Sequence, residues 1–197
     1  MRIVLLVLAA LGLILYLYED SAHTTYPPGV LIPEEPSQSL LSGGPSWQQD
    51  EFHFTARAGF SMRARVLSTE RYWFDGASAV SPVDFAVGWG PMSDQRVIDQ
   101  MGFGQSGRWY HYWPKGREFP IPAPDVVSHT ANMHMIPADK ETLEVLRSVR
   151  RGDRISLTGY LVLVESKSGW KWDTSLSRTD TGGGACEIVW VKRLVIY

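Results

Sequence analysis

Residues 139–166 read "DKETLEVLRSVRRGDRISLTGYLVLVES", and the change of rhythm inside that stretch decides the fold class. After Asp139 the apolar residues Leu143, Leu146 and Val149 recur three apart, which places them on one side of a helix. Asp139 itself is of the type that caps free N–H groups at a helix start. Gly152 stands where a left-handed residue would stop the helix. The basic run "RSVRRGDR" then falls at the helix C-terminus, where cations complement the dipole. From Arg154 the period drops to two, so that Ile155, Leu157, Leu161 and Leu163 face one way along a strand. Gly159 breaks that strand near its middle, as a strongly bent strand requires. A helix feeding a bent strand predicts a mixed α+β fold.

The flanking sequence extends the pattern on both sides. "EFHFTARA" (51–58) alternates weakly and predicts a strand, and "FSMRARVLSTERYWF" (60–74) predicts a second strand or one long bent one. Ser81-Pro82 is placed to open a short helix, with Pro82 at its first position. "SDQRVIDQMGF" (93–103) predicts another helix: Val97, Ile98 and Met101 share a face and Gly102 ends it. "RWYHYW" (108–113) predicts a strand and "FPIPAP" (119–124) a proline-rich loop. "GWKW" (169–172) continues across a turn, and "CEIVWVKRLVIY" (186–197) closes the sheet with β-branched and aromatic residues. The expected fold is α+β: a β-rich twisted sheet or small barrel with a few short helices.

The N-terminal stretch stands apart from this domain. Ile3 to Tyr18 is apolar without interruption, about 24 Å as a helix, with Arg2 before it and Glu19 and Asp20 after it. No small-residue pattern suited to a signal-peptide cleavage site follows. Residues 1–18 are therefore expected to be a signal-anchor transmembrane helix, with the basic end in the cytoplasm. Residues 19–50 hold five of the twelve prolines and read as a proline-rich tether, from which Leu31, Ile32, Leu40 and Leu41 can pack on the domain. The single globular domain spans 51–197. The expected location is a bacterial inner membrane, crossed once, with the C-terminal domain in the periplasm.

Composition narrows the function. Lys and Arg number 19 against 21 Asp and Glu, so no basic excess is available to neutralise phosphates and no nucleic-acid partner is expected. A single cysteine rules out an internal disulfide and a four-thiolate zinc site. No P-loop, dinucleotide fingerprint or G-x-S-x-G elbow is present, and no cofactor is expected.

Three constellations remain. The first is thiol chemistry. Cys186 follows three glycines in "TDTGGGACEIVWV" (179–191), His129 and His134 are candidate bases, and Asn132 lies between them. A cysteine nucleophile needs a base and usually a group that orients the base. The same residues fit a small apolar thiol at a strand entrance equally well. The second is a metal site built from His129 and His134 with Asp84 or Asp180. Their spacing matches no zinc motif, so no metal is expected. The third is an aromatic platform. In a strand Arg108, Tyr110 and Tyr112 share one face, Trp109, His111 and Trp113 take the other, and Trp170 and Trp172 share a register. Arg108, Tyr110, Tyr112, Trp170 and Trp172 are the candidate binding residues. Asp173 and Asp180 flank "TSLSRT" and suit local turns better than a glycosidase pair.

The segments "SPVDFAVGWGPMSD" (81–94), "SHTANMHMIPA" (128–138) and "SLSRTDTGGGACEIVWV" (175–191) resemble those of an uncharacterised family of bacterial membrane-anchored envelope proteins. The resemblance implies an envelope location and no particular activity. Residues 149–165 are similar to a piece of an OB-type barrel.

The expected function is a membrane-anchored extracytoplasmic binding or assembly domain rather than an enzyme. A partner protein of the envelope is its expected ligand. The alternatives are a hydrolase that depends on Cys186 and a histidine, and a module that binds cell-wall glycan.

Overall fold

The computed structural model describes residues 23–177, 180, 182 and 184–197. The expected membrane helix at 1–18 lies outside them, and among the described residues no helix is long and apolar enough to cross a membrane.

The protein is β-rich with a few short helices. In chain order the strands are β1 (Ser37–Leu40), β2 (Ser46–Gln49), β3 (Phe52–Arg71), β4 (Val83–Gly88), β5 (Met101–Ser106), β6 (Trp109–Pro114), β7 (Thr130–Pro137), β8 (Arg154–Ser166), β9 (Lys171–Asp173) and β10 (Glu187–Ile196). The helices are α1 (Gln95–Asp99), α2 (Ala123–Ser128) and α3 (Lys140–Ser148), with a 3-10 turn at Gly90–Ser93 before α1.

Five strands form a closed circuit of pairings. β3 pairs antiparallel with β4, β4 with β7, and β10 with β8, while β7 and β10 run parallel. The circuit shuts because β3, twenty residues long, also pairs antiparallel with β8. Its length lets one strand serve both edges, with a register shift at Ala56/Ala58 and another at Val66/Ser68. Such irregularities bend a strand and increase its twist. Gly159 on β8 marks a close approach of two strands, since a Cβ there would run into the carbonyl oxygen of Trp190. β10 shifts register beside it, between Val191 and Arg193.

The largest apolar cluster lies inside this circuit. Phe60, Met62, Phe85, Met133, Leu157 and Val189 are each less than 5% exposed in it. Ile32, completely buried, joins the same cluster from the segment read as tether, whereas Leu40 is 70% exposed. Residues 37–40 and 46–49 of that segment pair with β3. A second cluster, built on Leu67, Met92, Met101 and Phe103, packs under the β5–β6 hairpin with Tyr110 and Tyr112 against it.

Four local expectations are corrected. Ser81-Pro82 opens no helix. Val83 to Gly88 is a strand buried at every residue, because β4 lies between β3 and β7 with both faces covered. The helix expected from Ser93 is shorter and starts later. Asp94 is its cap, accepting from Arg96 N, and Met101–Ser106 leaves it as a strand. The proline-rich loop yields α2 at Ala123, where Pro124 falls in the first turn and its missing N–H is no loss. The helix capped by Asp139 forms but ends earlier than expected, with Val149 already extended as its C-cap. Asp139 accepts from Thr142 N at 2.7 Å, and Gly152 adopts φ +89° in the turn that follows.

Candidate functional site

Strand register brings the site together. Asp84 on β4 is the direct partner of His134 on β7, so their side chains stand abreast on one face. Asn132 lies two residues before His134 on the same face. On the other side of β7, Glu187 of β10 pairs with Met133. Cys186, one residue earlier, therefore comes level with Asn132.

The side chains follow that placement. Asp84 is fully buried and His134 is 2% exposed. His134 Nδ1 lies 2.9 Å from Asp84 Oδ2; the ring N–H does not point straight at the oxygen, and the two meet as an ion pair. Cys186 lies near enough to the same imidazole to raise its proton affinity. Asn132 Nδ2 donates to Cys186 Sγ at 3.4 Å and to the main-chain oxygen of Arg108 at 3.0 Å. Asn132 Oδ1 accepts from Gln105 Nε2 at 2.8 Å. Trp172 covers the imidazole, ring centroids 4.5 Å apart. Burial alone would lower the proton affinity of His134. The contacts with Asp84 and Cys186 outweigh it and raise the pKa to about 9, so the ring is an imidazolium at neutral pH.

Arg108 locks the acid end. Nη1 donates to Asp84 Oδ1 at 2.9 Å, while Nε and Nη2 donate to the two oxygens of Asp75 at 2.7 and 2.8 Å. Its guanidinium lies 3.7 Å from the ring centre of Tyr72, and its main-chain N–H donates to the Tyr72 hydroxyl. Burial works against this charge, but Asp75 and Asp84 outweigh it and the arginine holds its proton more tightly than usual. The same bond pulls the Asp75 carboxyl below its ordinary range. Arg108 occupies the second position of the β5–β6 turn with φ +72°, after Gly107 at +56°. Two successive left-handed residues make a turn whose twist suits a hairpin. A side chain there costs roughly 1 kcal/mol.

Cys186 is half-buried and opens onto a pocket of about 210 Å³. Trp109, Tyr110 and Tyr112 form one wall; Asn132, Asp180 and Glu187 lie on the others. The thiol and the aromatic row, separate candidates in the sequence, thus share one cavity. Within the row Trp109 is 51% exposed, and the tyrosines turn inward.

Other sequence candidates fall elsewhere. His129 caps the end of α2, Nδ1 2.8 Å from Asp125 O, and its ring packs against Gly90 and Trp89. Trp170 is 38% exposed and meets Phe52 edge-on and Trp172 at a tilt. Asp173 forms a bidentate pair with Arg57, and Asp180 accepts from the Ser175 hydroxyl at 2.6 Å. Among the described residues no group of three or more His, Cys, Asp and Glu is arranged to hold a metal ion.

Sequence reasoning set Asp84 down only as a third metal ligand and passed over Tyr72 and Asp75. A signal for Asp84 was present: one acid inside the apolar run "PVDFAVGW". A carboxylate at such a position is almost never fully buried unless paired. Comparison with models of known families, with curated proteins and with solved structures gives no match for this chain, so its chemistry rests on the geometry above.

Proposed function

We propose that the protein is a thiol-dependent acyl-transfer enzyme, in its simplest form a hydrolase, with Cys186 as nucleophile. One observation carries this reading: the pairing of β4, β7 and β10 sets His134 beside Asp84 and brings Cys186 level with Asn132, two residues from His134 on the same face, and Cys186 lines an open pocket. A buried structural thiol has no need of a histidine whose charge is held by a buried carboxylate.

Each group takes a role from its position. The sulfur of Cys186, as thiolate, attacks the carbonyl carbon of an ester, thioester or amide. The oxygen gains charge, and the Asn132 amide beside Sγ can turn one N–H toward it. His134, protonated at neutral pH, gives its proton to the departing alcohol, thiol or amine as the bond to carbon breaks. Water then attacks the thioester, the imidazole takes the water's proton, and the carbon–sulfur bond breaks to free the acid. Asp84 keeps the imidazole oriented and balances its charge, while Arg108 keeps Asp84 in place. The aromatic wall suits a substrate with a flat apolar or sugar-ring face next to the acyl group.

Location and fold form part of the proposal. Residues 1–18 are read as the membrane anchor, with the domain outside the cytoplasm. The five-strand circuit is read as an OB-type barrel. Support comes from its parallel β7–β10 pair and from α3, which bridges β7 and β8. The site lies among the loops after β3 and before β10, which correspond to the loops that carry ligands in that fold.

A second reading, a module that binds a partner protein, is favoured by Trp73 and Phe74. They are 61% and 100% exposed on the loop that carries Asp75.

The test is alkylation of the full chain by iodoacetamide, with turnover of aromatic and aliphatic p-nitrophenyl esters followed in parallel. Cys186 is expected to label in the folded protein, His134→Gln to slow labelling at least tenfold, and Cys186→Ser to abolish turnover. A thiol that labels only after denaturation would overturn the enzyme reading.

A further inference from the structure

A second cavity, of about 180 Å³, shares no lining residue with the thiol pocket. Arg65, Lys115, Arg151, Gln95 and Asp99 surround it, and His23 and Thr24 lie at its edge. Arg65 comes from β3, where it pairs with Gly88 and Arg154. The residue is 1% exposed. Of its three side-chain nitrogens only Nη2 is hydrogen-bonded among the described residues, to Thr24 O at 3.0 Å and Gln95 Oε1 at 2.6 Å. Both acceptors are neutral. Nε and Nη1 have no hydrogen-bond partner, and no carboxylate forms an ion pair with the group among the described residues.

A buried cation without a counterion is expensive. Stacking on Tyr26, 4.3 Å to the ring centre, offsets part of the cost without supplying a negative charge. Arg154 lies against the same ring at 4.9 Å and adds repulsion, while Asp153 and Asp99 attract the guanidinium from a distance without forming an ion pair with it. The one carboxylate that the described residues place on the cavity wall, Asp99, is engaged by Gln95 Nε2 at 2.8 Å. Lys115 Nζ donates only to a main-chain oxygen, that of Asp99, at 3.0 Å. Three cations and one acid thus face a space with room for several waters.

We infer that this cavity is a binding site for a phosphate group, held by Arg65, Lys115 and Arg151. Such an oxyanion carries the charge Arg65 lacks and enough acceptors to engage Lys115 and Arg151 together. The phosphate belongs either to a free anion or to the headgroup of an anionic lipid. Thr24 closes one side, its N–H donating to Arg151 O at 3.1 Å, so the described chain starts at the rim, a few residues after the segment proposed as the anchor. Only the lipid source rests on that anchor proposal.

The experiment is thermal unfolding of the full chain in an uncharged detergent, titrated with inorganic phosphate against sodium chloride at equal ionic strength. A saturable rise of a few degrees in Tm is expected, and it should vanish in the double variant Lys115→Ala, Arg151→Ala, whose side chains are not core. Nanodiscs of phosphatidylglycerol and of phosphatidylcholine separate the sources. Stabilisation by phosphatidylglycerol that the double variant loses assigns the site to lipid, and a response to soluble phosphate alone assigns it to a free anion. Equal responses to phosphate and chloride together with equal stability in the two discs would overturn the proposal. A double variant that responds like the wild type would do the same. None of these outcomes depends on Cys186 chemistry.

Discussion

Arg108 and Arg65 are both largely buried arginines stacked on a tyrosine, and they differ in one respect. Arg108 meets two carboxylates, Asp75 and Asp84, at 2.7 to 2.9 Å. Among the described residues Arg65 meets none, and only neutral oxygens accept from it. Its proton affinity falls through burial, whereas that of Arg108 rises. Burial by itself therefore does not say what a charge is for. A cation whose counterions are built into the protein holds the structure in one arrangement. One whose counterion is missing marks a place for something the chain does not supply.

That contrast can be broken by substitution. The largest effect is expected at Asp84. Asp84→Ala leaves Arg108 and a protonated His134 without their shared carboxylate in a fully buried position, and urea unfolding should show a loss of about 3–5 kcal/mol. A loss below about 1 kcal/mol would mean that the pairs contribute little.

The next effect is a pH dependence. His134 has its pKa raised to about 9 by Asp84 and Cys186, against burial, with Arg108 on the far side of Asp84. Its unfolded value is near 6.5. A group with a raised folded pKa adds stability that is complete below about pH 6.5 and disappears as pH rises through about 9. The folded protein should lose up to about 3 kcal/mol across that window. In His134→Gln the slope should flatten; an unchanged slope would place the titration elsewhere.

Arg108→Gln comes third, at about 2 kcal/mol, with slower alkylation of Cys186 because Asp84 and the hairpin lose their tie. Arg108→Lys should restore part of the rate, since the cation remains and only the fork is lost. The smallest effect belongs to Arg65→Met, which fills the space without a charge and should leave stability within about 1 kcal/mol of wild type in phosphate-free buffer. A loss as large as that of Asp84→Ala would erase the distinction between the two arginines.

The parts of the fold legible in the sequence are those where period and capping agree. Asp139, Leu143 and Leu146 define α3, alternate leucines define β8, and Gly159 marks its close approach to β10. The strand β4 was hidden because both its faces are covered. A run buried on both sides loses the alternation that identifies a half-buried strand, and Ser81-Pro82 in front of it imitates a helix start. For the site, Cys186, His134 and Asn132 could be picked out by residue type, but His129 qualified equally well. Only the pairing of β7 with both β4 and β10 separates the two histidines. Arg108 was read as part of a strand face, and its positive φ depends on a turn that Gly107 alone hinted at.

The pairing circuit has a consequence for how the chemistry arises. Asp84, His134 and Cys186 are carried by segments fifty residues apart in sequence, and β10 touches both β7 and β8. β10 thus links β7 to β8 within the ring and also brings Cys186 up to the face that carries Asn132 and His134. On the proposed chemistry, Cys186 meets His134 only once β10 has docked on β7, so alkylation of that thiol would report completed assembly.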